Sequence, residues 1–215
     1  MNKIKTFFGT IGRLLGWTKS STTLLGIFWL IVFLIGYVWW PLLDEYLSTY
    51  NPDYPLWVQL DKLLIGIFLA MSLLLVSNAN LKRDFPMLLI GLVGGLVIEG
   101  WGTQTELWVY YTAERPPFWI IPAWPIASLS IDRLNRILQR FCKKIPDRTF
   151  NILHWLIFIP FMALLLVFVW PTIMKSLTIL AIILCVLIIV VPSDPRQTTL
   201  TFIAGAGLGY FLELW

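Results

Sequence analysis

The residues that most often carry metal and redox chemistry are scarce in this chain. It contains one histidine and two cysteines in 215 residues. A single histidine excludes the multi-histidine iron clusters of membrane desaturases and hydroxylases, and Cys142 and Cys185 lack a metal-type spacing. HExxH, GxSxG, a phosphate-binding glycine loop with lysine and a DDxxD-type aspartate cluster are all absent. We therefore predict no metal site, which leaves acid/base chemistry by Glu, Tyr and Trp, or no chemistry.

Charge is also scarce. Charged residues make up 13% of the chain, hydrophobic residues make up 58%, and the mean hydropathy is +0.79. Soluble domains are closer to one quarter charged. Uncharged runs approach the length of a bilayer span at Leu24–Trp40, Leu156–Trp170 and Leu177–Val191. The sequence predicts an all-α fold, a polytopic bundle of transmembrane helices.

The spacing of the apolar segments predicts seven spans. They lie near residues 23–43, 60–79, 86–102, 118–133, 152–171, 174–192 and 199–215. With the N-terminus in the cytoplasm, 13 of the 16 Lys and Arg residues fall on the cytoplasmic side. The exceptions are Lys62, Arg115 and Lys175. This positive-inside bias fixes the predicted orientation.

The spans and the charges divide the chain into four predicted parts. Residues 1–22 form an interfacial amphipathic helix with a basic flank. A first repeat of four spans occupies 23–133, and a basic cytoplasmic connector occupies 134–151. The second repeat occupies 152–215 and looks incomplete.

The fourth span is the least regular. Pro122 and Pro125 fall inside it, where we expect them to break or kink the helix. Apolar and basic residues alternate over Asp132–Phe141 at helical spacing, which predicts a second helix on the cytoplasmic surface.

A glutamate follows two glycines at four-residue spacing in two places. Gly91, Gly95 and Glu99 share one helix face in the third span. The same spacing returns in the seventh span at Gly205, Gly209 and Glu213. The glycines are predicted helix-packing positions. Because both spans run outward, both carboxyl groups are predicted on the non-cytoplasmic side, and the two copies indicate a parallel internal repeat.

The second copy of the motif ends at Trp215. The first copy continues through a loop into another span. We therefore expect the natural gene product to continue through an eighth span.

Two interpretations of the glutamates remain open. In the first interpretation, the side chains of Glu99 and Glu213 extend to the outer membrane–water interface or accept hydrogen bonds from Trp and Tyr. In the second they form a paired acid site, because an apolar setting favours a protonated carboxyl that can carry a proton. The second interpretation makes both residues catalytic.

The stretch with Glu99-x-x-Gly102, Tyr110-Tyr111-Thr112 and Pro122-Ala123-Trp124 resembles integral-membrane carotenoid-biosynthesis proteins that include the bacterioruberin-type hydratases. Those proteins carry a Glu at the end of a span, then Gly and Tyr, then Pro and Trp at the next span. The resemblance implies a lipophilic polyene substrate and Glu99 as the acid. Tyr110, Tyr111 and Trp124 would line an apolar cleft and stabilise a carbocation, and we add Trp101 to this substrate-binding group.

Other functions fit the same composition. The chain is also consistent with a non-catalytic accessory subunit of a larger membrane complex or with a transporter. No cofactor is predicted beyond a bound lipid or pigment, for which the lone His154 is a minority candidate ligand. The predicted partners are the lipid bilayer and other membrane subunits or further copies of the chain, with no nucleic acid. The predicted location is a prokaryotic inner membrane.

Overall fold

A computed structural model describes residues 12–13, 15–191 and 194–213, and of 56–57 and 211–213 it describes only the backbone. The regular elements of this part of the chain are all helices, which confirms the predicted all-α class. In chain order the α-helices are α1 (Lys19–Val38), α2 (Trp40–Ser48), α3 (Leu56–Gln59), α4 (Lys62–Val76), α5 (Leu81–Gln104), α6 (Ala123–Phe141), α7 (Asp147–Val169), α8 (Ser176–Val190) and α9 (Pro195–Glu213). The predicted interfacial helix lies mostly outside the described residues.

Three helices in the described ranges are long and apolar enough to cross a membrane. They comprise Lys19–Val38, Leu81–Gln104 and Asp147–Thr172, the last including a short 3₁₀ turn after α7. Two shorter apolar helices, α4 and α8, have 15 residues each. Large apolar side chains are exposed along these helices. Long apolar helices with exposed apolar faces are typical of a membrane protein.

Helix α6 is the centre of the bundle. It packs against α5 and α9, and its N-terminal half also contacts the pair formed by α1 and α4. On the other side α7 packs on α9, and α8 packs on α5. Equivalent helices of the two predicted repeats thus have different neighbours, since α1 packs on α4 whereas α7 packs on α9. The parallel repeat stays a prediction.

The fourth predicted span, 118–133, is helical only from Ala123, so the expected break coincides with Pro122, whereas Pro125 does not interrupt the helix. Pro122 is the residue before α6, and Pro125 lies in its first turn. The first N–H groups of a helix have no acceptor within it, so a proline there loses no hydrogen bond. α6 continues to Phe141, and the predicted boundary between residues 133 and 134 falls within this one helix.

The start of α1 is fixed to the end of α4 by hydroxyl groups. Thr18 and Ser21 form a capping box at the N-terminus of α1. The Thr18 hydroxyl also donates to the carbonyl of Ala79 (2.7 Å), and the Ser21 hydroxyl donates to the carbonyl of Val76 (2.7 Å). Val76 is the last residue of α4, whose final carbonyls have no partner within the helix, and the Ser21 hydroxyl supplies one.

A buried ion pair joins α5 to α6 at the other end of their interface from Glu99. Asp84 and Arg133 are 2% and 6% exposed, and an Arg133 Nη atom lies 2.5 Å from the Asp84 carboxylate. Asp84 also accepts the backbone N–H of Asn80 at 2.9 Å. The sequence placed Arg133 among the basic residues of the cytoplasmic side, but the structure places it inside the bundle. The reason is that α6 does not end there, and a buried carboxylate faces it.

Candidate functional site

Glu99 lies on the face of α5 that packs against α6 and is 3% exposed. Three neutral groups donate hydrogen bonds to its carboxylate. Tyr110 Oη and Trp124 Nε1 donate to Oε1 at 3.0 and 3.2 Å, and Trp108 Nε1 donates to Oε2 at 3.3 Å. None of the ion pairs among the described residues includes Glu99. It is a buried carboxylate satisfied by aromatic donors instead of a cation.

The segment after α5 folds back over Glu99 and supplies two of the donors. The N–H of Leu107 donates to the carbonyl of Gly102 at 2.9 Å, which reverses the chain within a few residues. Gly102 has no side chain to obstruct this return, since a Cβ atom there would lie closer than 3.0 Å to the Trp108 indole. The Thr103 hydroxyl adds a 2.5 Å bond to the Glu99 carbonyl. Local chain reversal therefore places Trp108 and Tyr110 against the carboxylate.

The third donor comes from α6, and the glycine face of α5 allows it to approach. A Cβ atom on Gly91 would lie closer than 3.0 Å to the Pro125 backbone, and one on Gly95 would lie equally close to the Trp124 ring. Both glycines are buried. Glycines at this spacing let two membrane helices pack closely, and here the close packing brings the Trp124 indole to Glu99.

Adding one methyl group to this face tests that packing. We expect Gly95→Ala to lower the free energy of unfolding by about 1–3 kcal/mol, because the Trp124 ring has to move. Gly94→Ala is the matched control, since nothing lies within 4 Å of a Cβ atom there. It should be neutral or stabilise by up to about 1 kcal/mol through helix propensity. Thermal unfolding in one detergent measures both, and equal effects of the two substitutions would contradict the packing.

The predicted site residues separate into those at Glu99 and those elsewhere. Tyr110 and Trp124 contact its carboxylate. The Tyr111 hydroxyl instead donates to the carbonyl of Val38, and its ring stacks edge-on with Trp39 at 5.8 Å. Trp101 donates to Thr178 Oγ1 of α8 at 3.2 Å. The Glu213 side chain lies outside the described residues, although its backbone belongs to α9.

The glycines of the second motif are less closely packed than those of the first. A Cβ atom on Gly205 would lie 3.6 Å from Ile131 of α6, an ordinary van der Waals contact. On Gly209 it would meet no described atom within 4 Å. The glycine-bearing faces of α5 and α9 thus both border α6, but only the first pair requires glycine for its contact.

The sequence did not predict that Trp108 donates a hydrogen bond to the Glu99 carboxylate. The one feature of the sequence that could have indicated this contact is the position of Trp108, nine residues after Glu99 and soon after Gly102. The chain between them has to return toward α6. A tryptophan near a membrane interface is more often taken as part of an aromatic belt, and nothing in its spacing distinguishes the two roles. Trp101 and Trp108 stack edge to face at 5.8 Å.

An apolar groove lies between α5 and α8, on the face of α5 opposite to Glu99. It has a volume of about 200 Å³ and is lined by Val97, Gly100, Trp101, Gln104, Leu177, Leu180, Ala181 and Leu184. Trp101 connects the groove to the carboxylate, because its ring contacts Trp108, which donates to Glu99. Two aromatic rings, those of Trp101 and Trp108, therefore separate a molecule in the groove from the carboxyl group.

Charged residues gather beside the end of this groove. Lys175 Nζ donates to the carbonyl of Thr105 at 2.5 Å and lies 3.8 Å from the Glu106 carboxylate. Arg115 pairs with the same carboxylate at 2.8 Å, and its hydrogen bond and positive charge hold the pKa of Glu106 below its usual range. Glu106 is therefore ionised at neutral pH, and the three side chains together carry one net positive charge.

His154 is buried in α7 and does not adjoin this site. Its Nε2 donates to the carbonyl of Ile189 in α8 at 3.0 Å, and its ring packs against Phe158 at 4.7 Å. The histidine thus joins α7 to α8 by a hydrogen bond. A pigment would bind through a ring nitrogen, and one of the two is already used in this bond.

Across the described residues, no group of three or more His, Cys, Asp or Glu side chains is arranged to hold a metal ion. The arrangement at Glu99 is a carboxyl group with an adjacent phenol and two indoles, which can exchange a proton and face a cation with aromatic rings. No family model, no curated protein and no solved structure matches this chain.

Proposed function

We propose that the protein binds a lipophilic molecule of the isoprenoid or carotenoid type within the membrane and uses Glu99 for acid/base chemistry on it. The observation that supports this most is the burial of the Glu99 carboxylate among three aromatic donors without a cation. An ionisable group inside a membrane helix is costly and is a functional candidate by default. The apolar groove on the other face of α5 offers a place for part of an apolar chain, with Trp101 and Trp108 between it and the carboxyl group.

The chemistry follows from the groups present. A protonated Glu99 gives its proton to one carbon of an alkene, whose π electron pair forms the new C–H bond and leaves a carbocation on the neighbouring carbon. The Trp108 and Trp124 indoles direct their N–H edges at the carboxylate, so they stabilise a cation that lies over a ring face beside Glu99 rather than in line with the N–H groups. Water then adds to the cation, and the proton that it loses returns to the carboxylate. Tyr110, bonded to Oε1, is placed to move this proton.

The proposed topology has seven spans with a cytoplasmic N-terminus in a prokaryotic inner membrane. The pair Asp84–Arg133 then lies at the cytoplasmic end and Glu99 at the non-cytoplasmic end. Asp84 and Glu99 are 15 positions apart in the sequence, which corresponds to a rise of about 22 Å along α5, less than the hydrocarbon thickness of about 30 Å. A parallel repeat that makes Glu213 the equivalent of Glu99 belongs to the same proposal.

Cysteine labelling tests this orientation. After Cys142 and Cys185 are replaced by serine, Asp53→Cys and Lys144→Cys each place one thiol at an exposed position. In intact cells a membrane-impermeant maleimide should label position 53 and leave position 144 unlabelled until the cells are opened. The opposite pattern, or equal labelling of both in intact cells, contradicts the topology.

The function is tested with the protein from its own membrane. We expect organic extraction of the purified chain to yield a bound polyene or isoprenoid, and the wild type to convert that molecule in nanodiscs. Conversion should fall by at least about 100-fold in Glu99→Gln, consistent with loss of a general acid, and stay near wild type in Glu45→Gln, whose side chain is exposed on α2. Wild-type conversion by Glu99→Gln would refute the role of the carboxyl group.

A second candidate, an accessory subunit of a membrane complex, is favoured by an open glycine of α9. Gly207 is exposed, and no described atom lies within 4 Å of a Cβ atom built on it. A glycine on an exposed helix face permits another membrane helix to approach closely. Co-purification of a partner chain in fixed ratio, lost in Gly207→Leu but kept in Gly94→Leu, would favour this candidate over the enzyme.

A further inference from the structure

The groove between α5 and α8 is formed by a regular pattern on both helices. Its α5 wall is Val97, Gly100, Trp101 and Gln104, and its α8 wall is Leu177, Leu180, Ala181 and Leu184. Each set has the spacing i, i+3, i+4, i+7, which defines one face of a helix. The helices therefore face each other along the groove.

Small residues in the middle of each wall keep the groove open. Gly100 and Ala181 occupy corresponding central positions, and nothing lies within 4 Å of a Cβ atom built on Gly100. Helices whose facing positions carry large side chains would close this gap, since protein interiors pack to high density. The small side chains of Gly100 and Ala181 therefore leave this gap between the two helices.

The size of the groove limits its occupant to one chain. From Val97 to Gln104 the helix rises about 10 Å. The volume of about 200 Å³ is below the range of roughly 300–1,000 Å³ that is usual for pockets of drug-sized ligands. One narrow apolar chain fits such a space, and the second chain of a phospholipid would have to lie outside the groove.

The two ends of the groove differ in polarity. Toward Leu184 its lining is apolar. At the other end lies Gln104, and the adjoining carbonyl of Thr105 accepts the Lys175 ammonium group. The Lys175 side chain is 46% exposed, so it retains donors that face solvent. With Arg115 and Glu106 the charge there is net positive, which complements an anion.

We infer that this groove binds a single-chain isoprenoid that carries an anionic head group, with the chain between Gly100 and Ala181 and the head group at Lys175. This assignment rests on the proposed function, because it names the class of lipophilic molecule that the protein would bind; Trp101 and Trp108 stand between the groove and Glu99. A free anion without a chain lacks the groove contacts, and a neutral isoprenoid lacks the charge contact.

Equilibrium binding of two probes tests the assignment. Full-length protein in phosphatidylcholine nanodiscs is titrated with radiolabelled farnesyl monophosphate and with farnesol, which share the chain and differ in charge. We expect the phosphate to bind about tenfold more tightly, equivalent to about 1.4 kcal/mol. Lys175→Met should abolish that difference without changing farnesol binding, and Lys175→Arg should restore it. Lys62→Met, which removes another lysine assigned to the same side of the membrane, should have no effect.

The groove itself is tested by filling it. Ala181→Phe should weaken the binding of both probes, whereas Thr103, Glu99 and their contacts are untouched. Equal binding of the two probes to the wild type, or equal effects of Lys175→Met and Lys62→Met, would overturn the head-group assignment while farnesol binding still supported the proposed function. Competition by two-chain phosphatidic acid as strong as that by farnesyl phosphate would overturn the single-chain assignment. Absence of any bound lipophile would overturn the proposed function as well.

Discussion

Arg133→Ala is expected to lower the free energy of unfolding by about 3–5 kcal/mol, because it leaves the Asp84 carboxylate buried without its cation. Asp84 is 2% exposed and lies against α6, so water cannot replace the lost guanidinium. The remaining partners of the carboxylate are the Asn80 N–H and the Arg83 side chain, whose Nε lies 3.4 Å away. One weak pair and one backbone bond do not substitute for the 2.5 Å contact.

Arg136→Ala is the matched control for this substitution. Arg136 is on the same helix, one turn from Asp132, and its side chain is 41% exposed. Exposed pairs of this kind contribute at most about 1 kcal/mol. Unfolding followed by tryptophan fluorescence in mild detergent should separate the two variants clearly. If both variants unfold at the wild-type midpoint, the buried pair does not hold α5 to α6.

Glu99→Leu is expected to destabilise the bundle by about 3 kcal/mol or more. It removes the acceptor of three buried donors, and each donor left without a partner costs about 1–3 kcal/mol. Glu99→Gln keeps the size of the side chain and one oxygen, so its cost should be about 1–2 kcal/mol. The segment that carries Trp108 and Tyr110 has its principal polar anchor at this carboxylate, so proteolysis between residues 105 and 122 should accelerate in the leucine variant.

Hydrogen exchange separates this local effect from general destabilisation. In Glu99→Leu, protection should fall first in the segment from Glu106 to Phe118 and later in α1 and α4. Those helices pack around Phe28 and Leu75, away from Glu99. Uniform loss of protection through all helices would indicate that the carboxylate does not specifically anchor this segment.

The helices of this protein are predictable because their signal is local. Long apolar runs without charge identify the positions of α1, α7 and α8, and the structure has a helix at each. Glu99 and its glycine face were also visible in the sequence, because a carboxylate in an apolar run and a four-residue spacing need no tertiary information. Tyr110 and Trp124 were named through a resemblance, and the structure brings both to Glu99.

What escaped prediction depends on contacts between distant segments. Trp108 reaches Glu99 only because Gly102 permits a tight return, and Asp84 meets Arg133 across 49 positions of sequence. The prolines at 122 and 125 were assigned to a helix interior because the start of α6 cannot be located from hydrophobicity alone. Tyr110 and Tyr111 are adjacent residues of the same type, so the sequence does not show which of them contacts Glu99. In the structure, the Tyr111 hydroxyl donates to the carbonyl of Val38.

If Glu99 acts on the bound lipophile by proton transfer, the environment of its carboxyl group changes when the lipophile binds. Infrared difference spectroscopy of the nanodisc-embedded protein, recorded as the lipophile is added, measures this directly. We predict a change in the carboxyl stretching bands of the wild type that is absent from Glu99→Gln and retained in Glu45→Gln, whose side chain is exposed on α2. An identical difference spectrum in the wild type and in Glu99→Gln, at full occupancy of the lipophile, would contradict the claim and leave Glu99 as a structural acceptor for three aromatic side chains.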